Sequence, residues 1–345
     1  MADKFQTEDR VLPADAAGLR LDQALVAAFP HYSRSQLQRW LRAGRIVIAG
    51  GLARPSARVA GGEVVRLEAD FAADERLVPE TMALDIVYSD SALAVLNKPA
   101  GLVVHPGAGN RLHTLQHALL GWDPALARVP RAGLVHRLDK DTTGLLVVAR
   151  TPEAHTRLAA AMQARDIGRE YLALCSGRLT AGGSIDKPIG RHRTQRTRMA
   201  VRSDGRAART HYRIAERFAE HTLLRVRLET GRTHQIRVHL AHIGHPVVGD
   251  PEYGARRARV TRDTEPALAE ALRAFHRQAL HAAHLEFAHP LTGQPLSFDA
   301  PLPEDFANLL QALRGVAEPP KRRKSSPRRA PAGAAKAVRN GKTVR

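Results

Sequence analysis

Reactive side chains concentrate in two short segments of this chain. In Gly133-Leu134-Val135-His136-Arg137-Leu138-Asp139-Lys140-Asp141-Thr142-Thr143-Gly144-Leu145-Leu146 a charged loop sits between two apolar runs. Rigid scaffolds present catalytic groups in such loops. A carboxylate there, Asp139, can serve as a nucleophile that splits one difficult step into two. The plainer use of a loop Asp is to cap its own turn. In Glu229-Thr230-Gly231-Arg232-Thr233-His234-Gln235-Ile236-Arg237-Val238-His239-Leu240 a strand runs through a tight Thr-Gly turn into a helix. Thr233 would cap that helix, with Ile236, Leu240 and Ile243 as its core stripe. Arg232 falls at the strand-to-helix junction, able to point into a cleft, although an Arg there more often serves the fold.

Two further segments join them. Gly168-Arg169-Glu170-Tyr171-Leu172-Ala173-Leu174 puts Tyr171 on an alternating strand, ordinarily a core position. Val95-Leu96-Asn97-Lys98-Pro99-Ala100-Gly101-Leu102-Val103-Val104-His105-Pro106-Gly107 has the Pro and Gly of a shaped loop between strands, with Lys98 at the rim of the candidate site. Other chemistries find less support. Glycoside hydrolysis generally needs two carboxylates, and the nearest second one, Asp141, is explained by capping the turn with Thr143. His239 and His242 are helix neighbours, but His245 lies beyond Gly244 and no carboxylate joins them, so no metal site is expected. Gly107-Ala108-Gly109-Asn110 lacks the third Gly and the Lys-Ser/Thr ending of a phosphate loop. A lone cysteine, Cys175, excludes an intramolecular disulfide and a multi-cysteine zinc site.

The elements that must position these groups divide into three regions, with boundaries near 78 and 315. In the first, Leu21, Leu25, Ala28 and Phe29 follow helical spacing up to Pro30. A second helix, capped by Ser33 or Ser35, buries Leu37, Trp40 and Leu41, ends near Gly44, and carries Arg34, Gln38 and Arg42 on its other face. Short strands follow at 46–48 and 63–68. Arg20-Leu21-Asp22, Ser33-Arg34-Ser35 and Gly44-Arg45-Ile46-Val47-Ile48 resemble the small RNA-binding domain of ribosomal protein S-four, with Ala49-Gly50-Gly51 replacing its usual Asn-Gly turn. That resemblance implies RNA contact through Arg20, Arg34, Gln38 and Arg42. The second region, 79–315, reads as strands at 93–96, 144–148, 171–175 and 223–228, with a helix starting at Thr151-Pro152. Strands and helices mix without a βαβ beat, so an α+β fold with a mixed, mainly antiparallel sheet flanked by helices is expected. From about 316 the chain is rich in Pro, Ala, Lys and Arg, a composition expected to stay disordered.

The Asp139 segment resembles the His-Arg-Leu-Asp signature of a large family of pseudouridine synthases, with Thr143 where that family more often has Ser. The resemblance extends to the other segments and to Arg277-Gln278-Ala279-Leu280-His281, a closing stretch read as core. It implies Asp139 as nucleophile, Arg232 as its guanidinium partner, and Tyr171 against the target base, accepting the proton lost from carbon 5. The usual Lys two positions before that Tyr is Arg169 here, which keeps the charge but not the geometry. Arg137 would fill the gap left by a flipped base, with His136, Ile236 and Lys98 also near the substrate. No cofactor or metal is implied. Stretches 105–110 and 188–212 look closest to the branch that modifies the loop of helix 69 in large-subunit rRNA.

Bulk charge agrees with such a partner. Lys and Arg number 53 against 34 acids, a net +19 with pI near 11.1. Ten of those positive charges lie in 319–345, leaving +9 for the rest, so a polyanion is the expected partner. Residues 187–209 hold eight Lys or Arg and one acid, Asp204, the pattern of an exposed hairpin clamping RNA through Arg191, Arg193, Arg196 and Arg198. No apolar run approaches the roughly 20 residues needed to span a bilayer, and the polar N-terminus has no signal-peptide core. The expectation is therefore a cytoplasmic, monomeric enzyme acting on large-subunit rRNA or its assembly intermediates, with no membrane or protein partner. A non-enzymatic RNA-binding or assembly factor, or a synthase acting on tRNA, are the alternatives.

Overall fold

The computed structural model describes residues 5–30, 32, 34–52, 54–70, 78–107, 109–195, 197–254 and 264–316. Ser33, Arg196 and the basic stretch from 317 onward lie outside the described residues.

Near the N-terminus, helices Leu21–Ala28 and Arg34–Arg42 pack on a four-stranded sheet ordered Phe5–Val11, Val64–Asp70, Ile46–Ile48, Gly51–Leu52. Leu21, Leu25, Phe29, Leu37, Trp40, Ile46 and Leu67 are all essentially fully buried there. Each such side chain contributes roughly 1.5–3 kcal/mol of transfer free energy. Tyr32 meets Trp40 edge to face, with centroids 4.8 Å apart. Strand Phe5–Val11 was not legible in the sequence. Among the described residues its polar Gln-Thr-Glu-Asp-Arg run pairs with one neighbour, and it carries the charges that suit a sheet edge.

Most of the remaining described residues are built on a nine-stranded sheet. Its order is Ile86–Ser89, Leu93–Lys98, Thr143–Ala149, Leu280–Ala288, Gly168–Ser176, His221–Leu228, Arg209–Arg217 and Gly183–Asp186, with Pro295–Asp299 paired to Leu280–Ala288. Every pairing is antiparallel except that of Leu280–Ala288 with Thr143–Ala149, so the expected mixed, mainly antiparallel sheet is what the chain forms. Thr143–Ala149 is buried at every residue, which explains its continuous apolar run rather than an alternation. Helix Pro152–Ala164 begins as the sequence indicated: the Thr151 hydroxyl accepts the Ala154 N–H, and Pro152 occupies the first turn. The basic stretch forms a hairpin, Ile189–Arg191 with Met199–Val201.

Candidate active site

The loop leading into Thr143–Ala149 is fastened from several sides. His136 Nε2 accepts the Val147 N–H at 3.2 Å. Lys98 Nζ donates to the Lys140 carbonyl at 2.8 Å, and Arg277 Nη1 to the Asp141 carbonyl at 3.2 Å. Gln278 Nε2 donates to the Thr142 hydroxyl at 3.1 Å, and the Thr143 hydroxyl lies 2.9 Å from His281 Nδ1. Arg277-Gln278-Ala279-Leu280-His281, read from sequence as plain core, is therefore also the clamp of the Asp139 loop. Thr143 bonds His281 through its hydroxyl, a bond that the commoner Ser would also make.

Asp139 projects into a large cleft that it shares with Arg137, Arg169, Tyr171, Arg232 and Ile236. At about 1980 Å³ this cleft exceeds the roughly 300–1,000 Å³ of small-molecule pockets and suits a polymer.

The guanidinium that meets Asp139 is Arg237, not Arg232. Arg237 Nη1 donates to Asp139 Oδ2 at 3.1 Å. Arg232 Nε instead donates to the Ala207 carbonyl at 3.1 Å. The turn explains the exchange. Gln235 Oε1 accepts both the Arg232 N–H (3.0 Å) and the Thr230 hydroxyl (2.7 Å), and the helix begins only at Gln235. His234 rather than Thr233 precedes it, in the left-handed region at φ 56°. Residue 237 thus falls in the first helical turn, facing the Asp139 loop, while Arg232 stays on the cleft wall. There burial and the Arg206 and Arg165 guanidiniums push it below the usual arginine range.

A set of groups unseen in the sequence holds Arg237. Its Nε and Nη2 bond both oxygens of Asp250 at 2.7 and 2.8 Å, and Nη2 also reaches Glu252 at 3.0 Å. Tyr253 lies under the guanidinium, 4.9 Å from its ring centroid. Burial opposes the Arg237 charge, yet the bonds to Asp250 and Asp139 hold it above the ordinary arginine range. Burial alone would raise the Asp250 carboxyl, but Arg237 and the Glu252 and Tyr253 N–H groups keep it below the usual range. The His234 ring lies between this set and Asp139: Nδ1 is 2.7 Å from the Tyr253 hydroxyl and Nε2 3.8 Å from Asp139 Oδ1. Burial, helped by Arg237, pushes His234 below the usual imidazole range. The available signal was the turn Gly249-Asp250-Pro251-Glu252-Tyr253, three polar side chains in a tight bend shortly after an Arg-bearing helix.

Tyr171 is buried on the cleft wall. Burial raises its phenol, Asp139 adds to the shift, and only Arg169 opposes it. Ile236 is buried in the lining of the same cleft. His136 is tied to the sheet, and burial together with Arg169 pushes it down to about 3, so its role is to hold the loop. Lys98 is not at the rim: it is 1% exposed beneath the Asp139 loop. Three carbonyls, of Pro99, Leu102 and Lys140, accept from its ammonium at 2.7–2.9 Å and permit that burial. Arg137 is exposed at the cleft and has no acidic partner among the described residues.

The expected RNA contacts are partly committed elsewhere. Arg20 Nε (3.0 Å), Arg34 Nη2 (2.8 Å) and Gln38 Nε2 (2.9 Å) all converge on the buried carboxylate of Asp22. They form an organised cluster rather than a free row, because leaving Asp22 unpaired in the core would be costly. Arg42 is exposed. On the hairpin, Arg191 and Arg193 are exposed, whereas Arg198 turns inward over the Tyr253 ring at 5.1 Å and bonds the Glu252 carbonyl. His239, considered as a ligand, is spent on Thr210 and the Lys187 carbonyl, both at 2.9 Å.

The chain is similar to known proteins along most of its length. A family model described as RNA pseudouridylate synthase matches residues 92–242, and an S4 domain model matches 19–65. Ribosomal large subunit pseudouridine synthase D of Yersinia pestis is 53% identical over 302 residues, 87% of this chain and 93% of that one. The chain belongs to the RNA pseudouridylate synthase family. The enzyme of the same name from Escherichia coli (strain K12) is 52% identical over 298 residues, covering 86% of the synthase and 91% of its relative. Among solved structures, Human RNA Pseudouridylate Synthase Domain Containing 4 matches at TM-score 0.53 and 25% identity, covering 67% of this chain and 93% of that one. No helix among the described residues is long and apolar enough to cross a membrane.

Proposed function

We propose that this synthase isomerises uridine in large-subunit rRNA, in the loop of helix 69, with Asp139 as its nucleophile. The observation that carries the reading is the placement of Asp139: a carboxylate held by Arg237 on a clamped loop, opposite the buried Tyr171, in a cleft of polymer size. The basic hairpin, with eight Lys or Arg and one acid over residues 187–209, supports a polyanionic partner.

The reaction breaks the bond from C1′ to N1, turns the base, and joins C1′ to C5. The base is inaccessible in a stack, so it is flipped into the cleft first, and Arg137 is positioned to fill the vacated space. Asp139 bonds C1′ as N1 leaves with the electron pair. The freed base rotates, C5 forms its bond to C1′, and the carboxylate departs with its own pair. The C5 proton is lost and N1 ends protonated, so nothing is consumed and no redox partner is needed. Tyr171 is neutral at working pH. It therefore serves that departure as a relay, accepting the C5 proton while its phenolic proton passes to water, from which N1 takes up a proton, rather than as a preformed phenoxide. Arg237 gives Asp139 a fixed direction of approach.

We further assign it to the cytoplasm, as a monomer whose partner is the rRNA or its assembly intermediates, with domain limits near 78 and 315. The test compares RNA from cells lacking the gene with RNA from cells restored with wild type or Asp139→Asn. Carbodiimide treatment and reverse transcription map pseudouridine across large-subunit rRNA and tRNAs. Stops in the helix 69 loop that return only with wild type support the reading. Stops restored equally by Asp139→Asn would favour a binding factor, and stops confined to tRNA would move the substrate.

A further inference from the structure

Three arginines are buried among the described residues: Arg169, Arg237 and Arg277. Arg237 has Asp250, Asp139 and Glu252, and Arg277 has Asp305 at 2.6 Å. Arg169 is 8% exposed, its Nε is enclosed without an acceptor, and no acid or carbonyl among the described residues bonds its guanidinium. Arginines are almost never buried without a partner, because the charge has lost its water and gained nothing in return. The missing partner is therefore an anion that arrives from outside.

The surroundings indicate which one. Arg169 lines the cleft of Asp139 and lies on the same face of strand Gly168–Ser176 as Tyr171, both positions being buried while Glu170 between them faces the other way toward Arg225. Two residues of strand separate them by about 7 Å, roughly one nucleotide's reach from the base that would stand against Tyr171. Gly231 makes the room: a Cβ there would come within 3.1 Å of Arg169 Nη1. Arg232 lines the same cleft, as do Arg165 and Glu229, which pair with each other at 3.0 Å.

We infer that Arg169 is the seat for a phosphodiester directly flanking the flipped nucleotide, bound through the planar fork of its guanidinium. The seat places the sugar relative to Asp139 after the base has left the stack. A lysine at this position would supply a point charge but not the two parallel donors, so the Arg of this chain fixes direction as well as proximity.

The inference rests on the RNA-isomerase reading, and its test separates the two. Stem-loop RNAs are synthesised with a neutral methylphosphonate on the 5′ or the 3′ side of the target uridine, or with phosphate at both. All three carry the same 2′-O-methyl sugars beside those linkages. Dissociation constants are measured by fluorescence anisotropy for wild type, Arg169→Met and Arg169→Lys. The expected result is that one neutral linkage weakens wild-type binding about tenfold, that Arg169→Met weakens the all-phosphate RNA similarly, and that the two losses do not multiply. Arg169→Lys recovers part of the loss. If Arg169→Met does not fold, as judged by circular dichroism, the cycle is run with Arg169→Lys, whose sensitivity to that linkage should be reduced. Losses that multiply in full, or a wild type indifferent to both linkages, overturn the inference. Pseudouridine formation on the unmodified stem-loop is followed in parallel: its absence would sink the functional reading while leaving the binding cycle interpretable.

Discussion

The ammonium of Lys98 sits 2.8 Å from the carbonyl of Lys140, so the loop carrying Asp139 is pinned from beneath by a buried cation. Two more carbonyls, from Pro99 and Leu102, complete its shell, and burial pushes Lys98 down to about 7. An unfolded lysine keeps its ordinary value near 10.4, roughly three units higher. Between about pH 7 and pH 10 the unfolded chain therefore binds more protons at this position than the native one. Stability contributed by Lys98 rises with pH across that window, by up to about 1.4 kcal/mol per unit. Urea unfolding of wild type and Lys98→Met at several pH values should show this slope in wild type only. A common slope would contradict it.

Arg237→Met removes the partner of Asp250, whose side chain is completely buried. An abandoned buried charge costs about 3–5 kcal/mol. Thermal unfolding should record that loss, and turnover should fall by at least about a hundredfold, since Asp139 loses its orientation as well. Arg232→Met, which breaks only the bond to the Ala207 carbonyl, should leave stability nearly unchanged and weaken RNA binding in a salt-dependent way. Equal effects of the two substitutions would refute the distinction.

Thr143→Ser keeps the hydroxyl that meets His281 at 2.9 Å and should be close to neutral. Thr143→Val leaves the buried His281 nitrogen without its partner, at a cost of about 1–3 kcal/mol. Differential scanning calorimetry of the two variants decides the point.

Gly144 has φ 109°, and a Cβ there would lie 2.2 Å from the Ala282 carbonyl oxygen. Gly144→Ala must therefore move one of the two central strands. Soluble expression and a cooperative unfolding transition are expected to be lost, and a variant that melts within a few degrees of wild type would show the strands to be more compliant than this geometry implies.

Much of this arrangement was legible in the residue pattern. The alternation of Leu224, Val226 and Leu228, the Thr151-Pro152 helix start and the charged loop at Asp139 each depend on local spacing, and each lies where that spacing put it. The assignment of Asp139's partner went to the wrong Arg of one segment, because Arg232 and Arg237 differ only in where the helix begins. That start is fixed by Gln235 reaching back to residues 230 and 232, a side-chain contact that spacing does not encode. Asp250, Glu252 and Tyr253 were missed for a similar reason: they reach Arg237 from a turn after its helix, and no periodicity links them. Lys98 was placed at the rim because lysines are usually exposed, whereas a curl of backbone carbonyls lets this one go under the loop.

Release of tritium from carbon 5 tests the central claim most directly, because the C5 hydrogen is lost only when that carbon bonds the sugar. A large-subunit rRNA fragment containing the helix 69 loop, transcribed with uridine tritiated at carbon 5, is incubated with wild type or with Asp139→Asn, and binding of both proteins to the same RNA is measured in parallel. The account predicts that wild type releases tritium and that Asp139→Asn binds the RNA comparably but releases none above background. Release by Asp139→Asn at the wild-type rate would contradict the assignment of Asp139 as the nucleophile.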